Sequence, residues 1–294
     1  MEYGYYIYAH VRSIQESHIM NAKQNNRLVS VIVPTKNSAQ FLEACLQSVK
    51  DQSYKHIEII VVDNYSTDTT KEIAKKFTDK VYNKGPERSA QRNYGASNGQ
   101  GEFVVFIDAD MELSRDVVKQ CVAKISEHNG TIGIIIAEES FGIGFWAQCK
   151  KLEKSFYVGV DWIEAARFFP KEVFQRVGGY DEEMVAGEDW DLSQRIGLLG
   201  SLERIGAYIY HNEGRVTLVG TMKKKYYYAR KIRTYMNKQG KLQVKRQTGA
   251  FLRYWIFLKH PLRLFRSPMV GTGMLYMKTC EFIGGLWGFM SMEL

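Results

Sequence analysis

Three short β-branched runs, each closing on polar residues and followed by a stretch of helical period, restrict what this chain can fold into. Leu28-Val29-Ser30-Val31-Ile32-Val33-Pro34 runs into Thr35-Lys36-Asn37, residues 57–62 end on Asp63-Asn64, and residues 103–107 end on Asp108-Ala109-Asp110. Runs this short and this apolar read as strands buried on both faces. Between them Phe41, Leu42, Cys45, Leu46 and Val49 recur at helical spacing. Residues 68–77 read as a helix with Ser66 and Thr67 as capping candidates, and 90–97 and 114–127 as further helices. A strand over 131–137 continues the alternation. Strands alternating with helices predict an α/β layer fold, a mostly parallel sheet flanked by helices, beginning at Leu28.

In such a sheet the ligand-binding loops gather at the carboxyl ends of the strands, so the three polar clusters should share one edge. Asp108 and Asp110 place two carboxylates one residue apart straight after a strand. Their repulsion calls for a cation, and hard oxygens suit Mg²⁺ or Mn²⁺ alongside substrate phosphates. In isolation the triplet is equally well a solvated acidic loop. Asp63 can orient a base or ribose, or simply close a turn. Arg88 and Arg92, one helical turn apart, can offer guanidinium forks to a pyrophosphate or stand as exposed helix charges.

A second acidic cluster, Gly187-Glu188-Asp189-Trp190-Asp191-Leu192, opens a helix, with Gly178-Gly179-Tyr180-Asp181-Glu182 as a turn upstream. The helix macrodipole alone favours acids there, and a carboxylate so placed can also be a general base. Asp189 and Asp191 point in different directions, so one can face a site while the other caps. His211, after a strand-like stretch over 202–210, can add an imidazole to a metal held by carboxylates or serve only in packing.

Charge is distributed unevenly. Sixteen of the 40 Lys and Arg residues lie between Gly214 and Cys280, where there is no Asp or Glu, so the remaining 24 face all 32 acids. In this basic stretch Met222, Tyr226, Ala229, Ile232 and Met236 recur at spacings of four, three, three and four. That pattern predicts a basic amphipathic helix suited to an anionic membrane surface. Aromatics and cations mix again over 251–259, the composition of an interfacial belt. Single-stranded nucleic-acid binding and a helical cap on the acidic body are the competing readings; the membrane surface is favoured and no nucleic-acid partner is expected. The segment 268–290 is broken by Lys278 and Glu281 and reads as interfacial or buried rather than spanning. Four scattered cysteines without a C-x-x-C pair and no visible secretory leader suit a reduced, cytoplasmic protein.

Taken in order, Val-Ser-Val-Ile-Val-Pro-Thr-Lys-Asn, Ile-Ile-Val-Val-Asp-Asn-Tyr-Ser-Thr-Asp, Ser-Ala-Gln-Arg-Asn-Tyr-Gly-Ala, Phe-Ile-Asp-Ala-Asp, Gly-Gly-Tyr-Asp-Glu and Gly-Glu-Asp-Trp-Asp-Leu resemble the family 2 inverting glycosyltransferases with the Rossmann-like GT-A fold. The resemblance covers about residues 28–213 and implies roles. Pro34, Thr35 and Asn37 would line a nucleotide-sugar donor, a UDP-sugar ahead of a GDP- or dTDP-sugar, and Asp63 would contact its base. Asp108 would hold the ribose side and share the divalent metal with Asp110 and His211. Arg92 matches the family's Arg-Asn pair after the nucleotide-binding helix, while Arg88 stays a pyrophosphate candidate on its chemistry alone. Asp189 is implied as catalytic base, with Glu188 as alternate. Asp-Ala-Asp-Met here replaces the usual run of adjacent acids, and no Gln-x-x-Arg-Trp motif follows residue 200; single addition is therefore implied rather than processive synthesis.

The expectation is thus an extension over 1–27, a GT-A domain over 28–213 and a basic helical region over 214–294. The enzyme would act on a glycan or lipid-linked acceptor at the inner face of a membrane. A sugar-nucleotide nucleotidyltransferase would need a Gly-rich N-terminal phosphate loop, which is missing. A non-catalytic membrane- or nucleic-acid-binding module on an α/β scaffold would bind neither nucleotide nor metal. Oligomeric state is left open by the sequence.

Overall fold

A computed structural model describes residues 27–128, 130–238, 244, 246–247 and 249–291. The aromatic residues Tyr3, Tyr5, Tyr6 and Tyr8 of the expected extension lie outside them. The N-terminal half alternates as the periodicity predicts except for two three-residue strands that the pattern does not show, Val81–Asn83 and Met111–Leu113. Strand β1 (Val29–Thr35), helix α1 (Ala39–Lys50), β2 (Ile57–Asp63), α2 (Thr70–Lys75), β3 (Val81–Asn83), α3 (Arg88–Asn98), β4 (Phe103–Phe106), β5 (Met111–Leu113) and α4 (Val117–Glu127) follow in turn. Then come β6 (Thr131–Ile143), α5 (Phe145–Ser155), β7 (Ala166–Pro170), α6 (Lys171–Arg176), α7 (Glu188–Gly197) and β8 (Ser201–Arg215).

These strands form one eight-stranded sheet ordered β3-β2-β1-β4-β7-β6-β8-β5. The block β3-β2-β1-β4 is parallel, as is β6 with β8. Strand β7 runs antiparallel to both β4 and β6, and β5 antiparallel to β8. The sheet is therefore mixed. Neither β7 nor β5 shows in the apolar pattern: Arg167 interrupts the first, and the second has only three residues. Two apolar layers sandwich the sheet. Leu42, Leu46, Val118 and Val122 of α1 and α4 pack with Val31, Val33 and Val105 on one face. Ile32, Val104 and Phe106 meet Phe174, Leu192 and Ile196 on the other. Helix α3 lies close on that second face because Gly95 has no Cβ; an added one would sit 2.5 Å from Ile32 Cγ2.

The C-terminal helices are α8 (Leu218–Lys231), α9 (Arg233–Lys238), α10 (Ala250–Leu258), α11 (Pro261–Leu264) and α12 (Pro268–Met290). The expected stripe of α8 is not left free for a membrane. Met222 and Tyr226 lie against α12, where a Cβ on Gly284 or Gly288 would collide with their carbonyl oxygens. The stripe is spent on intramolecular packing, while Lys223, Lys224 and Arg230 stay exposed. Outside that stripe Val219 and Tyr227 of α8 are exposed, as are Phe251, Trp255 and Leu258 on α10, Leu262 on α11, and Met269 and Trp287 on α12. Among the described residues no helix is long and apolar enough to cross a membrane. The four cysteines are buried and unbridged.

Helix α12 is clamped to α5 by a buried four-residue charge network. Lys278 donates to Glu153 at 2.5 Å and Glu281 at 2.8 Å, and Lys150 donates to the same two carboxylates at 2.8 Å each. Burial and the adjacent Glu153 push the Glu281 carboxyl up, but Lys150 and Lys278 outweigh them and hold it at about 2. A carboxyl held below its ordinary value of 4.5 stabilises the fold above that pH and loses the contribution as pH falls toward the folded-state value. Glu281→Gln should therefore cost about 3–5 kcal/mol near neutral pH, the scale for breaking one partner out of a buried pair. The gap from wild type, read by denaturant unfolding, should narrow as pH falls below 4.5.

Candidate active site

The parallel strands β1, β2 and β4 end together. Thr35 stands opposite Asp63 in register, and the Ile107 amide donates to Ile32 at 3.2 Å, which places Asp108 beside the same edge. Helix α3 is tied to that edge by Gln91, whose amide donates to the carbonyls of Thr35 and Val62. The two loops also brace each other. Asn37 adopts a left-handed φ of 48°, tolerable for Asn; its amide donates to Ser66 Oγ and its side-chain oxygen accepts from the Thr67 amide. Asp63 is fully buried, and both its oxygens accept from Ser66. Its carboxylate shapes the turn on which Tyr65 stands exposed, instead of lying open to a base.

Arg92 is the hub of the site. Its side chain is wholly buried, and it donates to Asp108 at 2.7 Å and to Asp189 at 3.1 Å, with Glu188 at 3.5 Å. The guanidinium also lies 5.0 Å from the centre of the Tyr180 ring. The fork expected to meet a pyrophosphate is thus taken up by carboxylates. Burial opposes the Asp108 charge, but Arg92, Arg167 and Arg88 hold its carboxyl well below the usual range. Arg88 is half-exposed and reaches Glu188 at 3.3 Å and the Tyr228 hydroxyl of α8 at 3.3 Å. Burial and the neighbouring Asp189 raise the Glu188 carboxyl despite both arginines. The acids of α7 divide their tasks: Asp191 pairs with Arg195 at 2.6 Å on its own helix, while Asp189 faces the site.

Asp110 turns away from Asp108 to a different partner. Pairing of β5 with β8 sets Met111 opposite His211, and His211 Nε2 lies 3.2 Å from Asp110 Oδ2. His211 Nδ1 is buried without a hydrogen bond, 3.8 Å from Glu138 and 4.0 Å from Glu213. Burial lowers the imidazole, but Asp110, Glu138 and Glu213 carry it up to about 9. Among the described residues no group of three His, Cys, Asp or Glu side chains forms a self-sufficient metal cage. One carboxylate and one imidazole, the latter once a divalent ion displaces its proton, nevertheless fit a Mg²⁺ or Mn²⁺ that takes its remaining ligands from substrate phosphate and water.

Asp108, Glu188, Asp189, Arg88 and His211 line a cavity of about 980 Å³ that continues to α8, α10 and α12. Pro34, Thr35, Asn37, Asp63, Arg92 and Asp110 are not among its lining residues; they form the strand-end side of the site and its hub. From the sequence, acceptor contacts are expected within 138–167 on the place of that segment between the two acidic clusters alone, with no role for any one residue; Glu138 and Arg167 both line the cavity and pair at 2.8 Å. The signal was present: Glu138 ends the apolar run of β6 as Asp63 ends β2, and Arg167 is a lone cation between Ala166 and Phe168. The contacts of α8 and α12 join residues too distant in sequence for any local pattern to show.

Residues 30–169 match the family described as Glycosyl transferase family 2. The poly(ribitol-phosphate) β-N-acetylglucosaminyltransferase TarS of Staphylococcus aureus is 34% identical over 117 residues, 36% of this chain and 20% of TarS. The GalNAc(5)-diNAcBac-PP-undecaprenol β-1,3-glucosyltransferase of Campylobacter jejuni is 36% identical over 109 residues, 34% of this chain and 35% of the relative. The chain thus matches about a third or less of these relatives' lengths. Among solved structures, the mannosyltransferase PcManGT of Pyrobaculum calidifontis, in complex with GDP-Man and Mn²⁺, gives a TM-score of 0.60 at 17% identity, covering 89% of this chain and 88% of that one. TarS 1-349 in complex with UDP-GlcNAc gives 0.53 at 19% identity, covering 90% and 91%. The expected GT-A fold is the fold observed.

Arg92→Met should leave Asp108, Glu188 and Asp189 crowded without a buried cation, costing about 3–5 kcal/mol in denaturant unfolding. Arg88→Met removes a half-exposed partner and should cost no more than about 1 kcal/mol.

Proposed function

We propose, from the match of residues 30–169 to the family described as Glycosyl transferase family 2, that the chain is a metal-dependent inverting glycosyltransferase making single additions from a nucleotide-sugar donor. One observation carries the reading: Arg92 bridges Asp108 at the end of a parallel strand to Asp189 at the start of α7, at the wall of a large cavity. The donor's nucleoside lies along the braced loops after β1 and β2, where Thr35, Asn37 and the Asp63-shaped turn supply the surface. A UDP-sugar is the first choice and a GDP-sugar the second; solved relatives hold UDP-GlcNAc and GDP-Man. Asp110 and His211 would hold the metal, with Asp108 beside them, and a bound divalent ion would neutralise charge on the diphosphate.

The chain's own groups do the rest. Asp189, more open than Glu188, takes the proton from an acceptor hydroxyl. The freed oxygen attacks the anomeric carbon from the face opposite the nucleoside diphosphate; the bond to the diphosphate breaks and the configuration inverts. The β linkages in the names of both curated relatives accord with inversion. Arg88, half-exposed at the cavity wall, offers charge to the leaving group. The acceptor is a lipid-linked glycan, a reading supported by the undecaprenol-linked substrate named for the Campylobacter relative. Region 214–294 then serves as the acceptor and membrane side, with the exposed Phe251, Trp255, Leu258 and Leu262 interleaved with Lys259, Arg263 and Arg266 on the cytoplasmic leaflet. Each such cation contributes up to about 1 kcal/mol near an anionic surface.

Asp189→Asn should lower turnover by about 10²–10⁴-fold while calorimetric binding of UDP or GDP with Mn²⁺ stays near wild type; retained turnover rejects the base. The protein should co-sediment with anionic vesicles at low salt and be released as salt rises, whereas Trp255→Ser with Leu262→Ser should weaken that binding.

A further inference from the structure

We infer that the part of the cavity between α8, α10 and α12 is an acceptor subsite for an amphiphile with an anionic headgroup, held by Lys225 and Arg253, and a hydrocarbon chain lying along α12. The inference rests on the transferase reading and deepens it. It starts from two cations on the wall that, among the described residues, make no ion pair. Every acid on the cavity wall has a cation: Glu138 has Arg167 and Lys154, Glu153 and Glu281 have Lys150 and Lys278, Glu164 has Arg204, and Arg88 and Arg92 hold Asp108, Glu188 and Asp189. Lys225 and Arg253 also line it, and neither has a carboxylate partner within ion-pair distance among the described residues. Arg253 is oriented by the Tyr157 and Trp162 rings, 4.9 and 5.3 Å from their centres, and by the Gln247 carbonyl. Glu281 is the strongest influence on the Lys225 amine and favours its charge. The residue as a whole is exposed, but enclosure of its amine end by the cavity and repulsion from Lys278 and Lys150 lower the amine's pKa from its ordinary value. An arriving anion would supply the ion-pair partner.

Position ties this pair of cations to the chemistry. Lys225 and Tyr228 are one turn apart on α8, both face the cavity, and Tyr228 touches Arg88. Along α12 the wall changes character. Lys278 and Glu281 line it first, then Phe282, Ile283, Gly285, Leu286 and Phe289. From Lys278 to Phe289 the helix rises about 16 Å at 1.5 Å per residue, from charged to apolar, and Ile283, Leu286 and Phe289 are exposed. A soluble sugar acceptor gives no reason for such a gradient; a phosphate attached to a long alkyl or isoprenoid chain does. Gly285 stands within the apolar stretch, and a Cβ there would meet no atom within 4 Å, so the groove can be filled without displacing its walls.

The test uses the whole protein, with farnesyl phosphate as probe and farnesol and inorganic phosphate as controls for chain and charge, alongside UDP and GDP with Mn²⁺. Farnesyl phosphate should bind saturably and at least tenfold more tightly than either control. Gly285→Leu should weaken farnesyl phosphate and farnesol by tenfold or more. Lys225→Gln should weaken farnesyl phosphate by a similar factor and leave farnesol unchanged. Neither variant should alter nucleotide affinity. The subsite alone is overturned if nucleotide binds but farnesyl phosphate binds no better than phosphate, or if Gly285→Leu binds it as wild type does. A loss of nucleotide affinity in Lys225→Gln would assign the cation to the donor and overturn the acceptor role. Farnesyl phosphate binding without any nucleotide binding would overturn the transferase reading and the acceptor role together.

Discussion

The buried guanidinium of Arg92 is the interaction on which the site depends. Three carboxylates from two distant segments converge where strand β4 leaves the sheet and helix α7 begins, and without a cation their repulsion would separate those segments. Arginine suits the task because its planar fork donates in several directions at once and its charge survives burial. Its reach depends in turn on Gly95, one turn on, which lets α3 settle onto Ile32. A single residue so placed couples fold to chemistry: what holds α7 against the sheet also sets the position of Asp189.

The strands β1, β2 and β4, the helices between them and the shared edge of their loops were all legible, because buried parallel strands write themselves as unbroken apolar runs. So was the partition of the α7 acids, since residues two apart on a helix must diverge. Other features left no local trace. Strand β7 carries Arg167 inward to Glu138, and β5 is too short to show a period, yet β5 is what brings Asp110 to His211. Arg92 was legible as a site residue but not in its role; an arginine in sequence does not disclose whether its fork points to ligand or to protein. Asp63 departs similarly, its oxygens turned inward to Ser66.

The basic amphipathic stripe of α8 shows why periodicity identifies a face without identifying what covers it. Met222 and Tyr226 have the spacing of an interfacial helix, yet the glycines of α12 offer a closer surface, and direct packing takes it. The cost appears in α12 itself. A helix that gives one side to α8 through Gly284 and Gly288, and clamps to α5 through Lys278 and Glu281, cannot also present an unbroken apolar cylinder to lipid.

That division of labour accounts for a helix of 23 residues that has the length to span a bilayer but not the composition. Its buried charges need Lys150 and Glu153 of α5 as partners, so they anchor the helix to the sheet-bearing body. Its remaining apolar residues, Ile283, Leu286 and Phe289, are left open at the far end from those charges, on the wall of the same cavity that Asp189 faces. A membrane-spanning anchor would hold the protein at a bilayer without regard to where its cavity points. A clamped helix with one open apolar stretch instead joins the cavity to the exposed apolar surface, so one structural element connects the charged wall beside Asp189 with the outer face of the C-terminal helices.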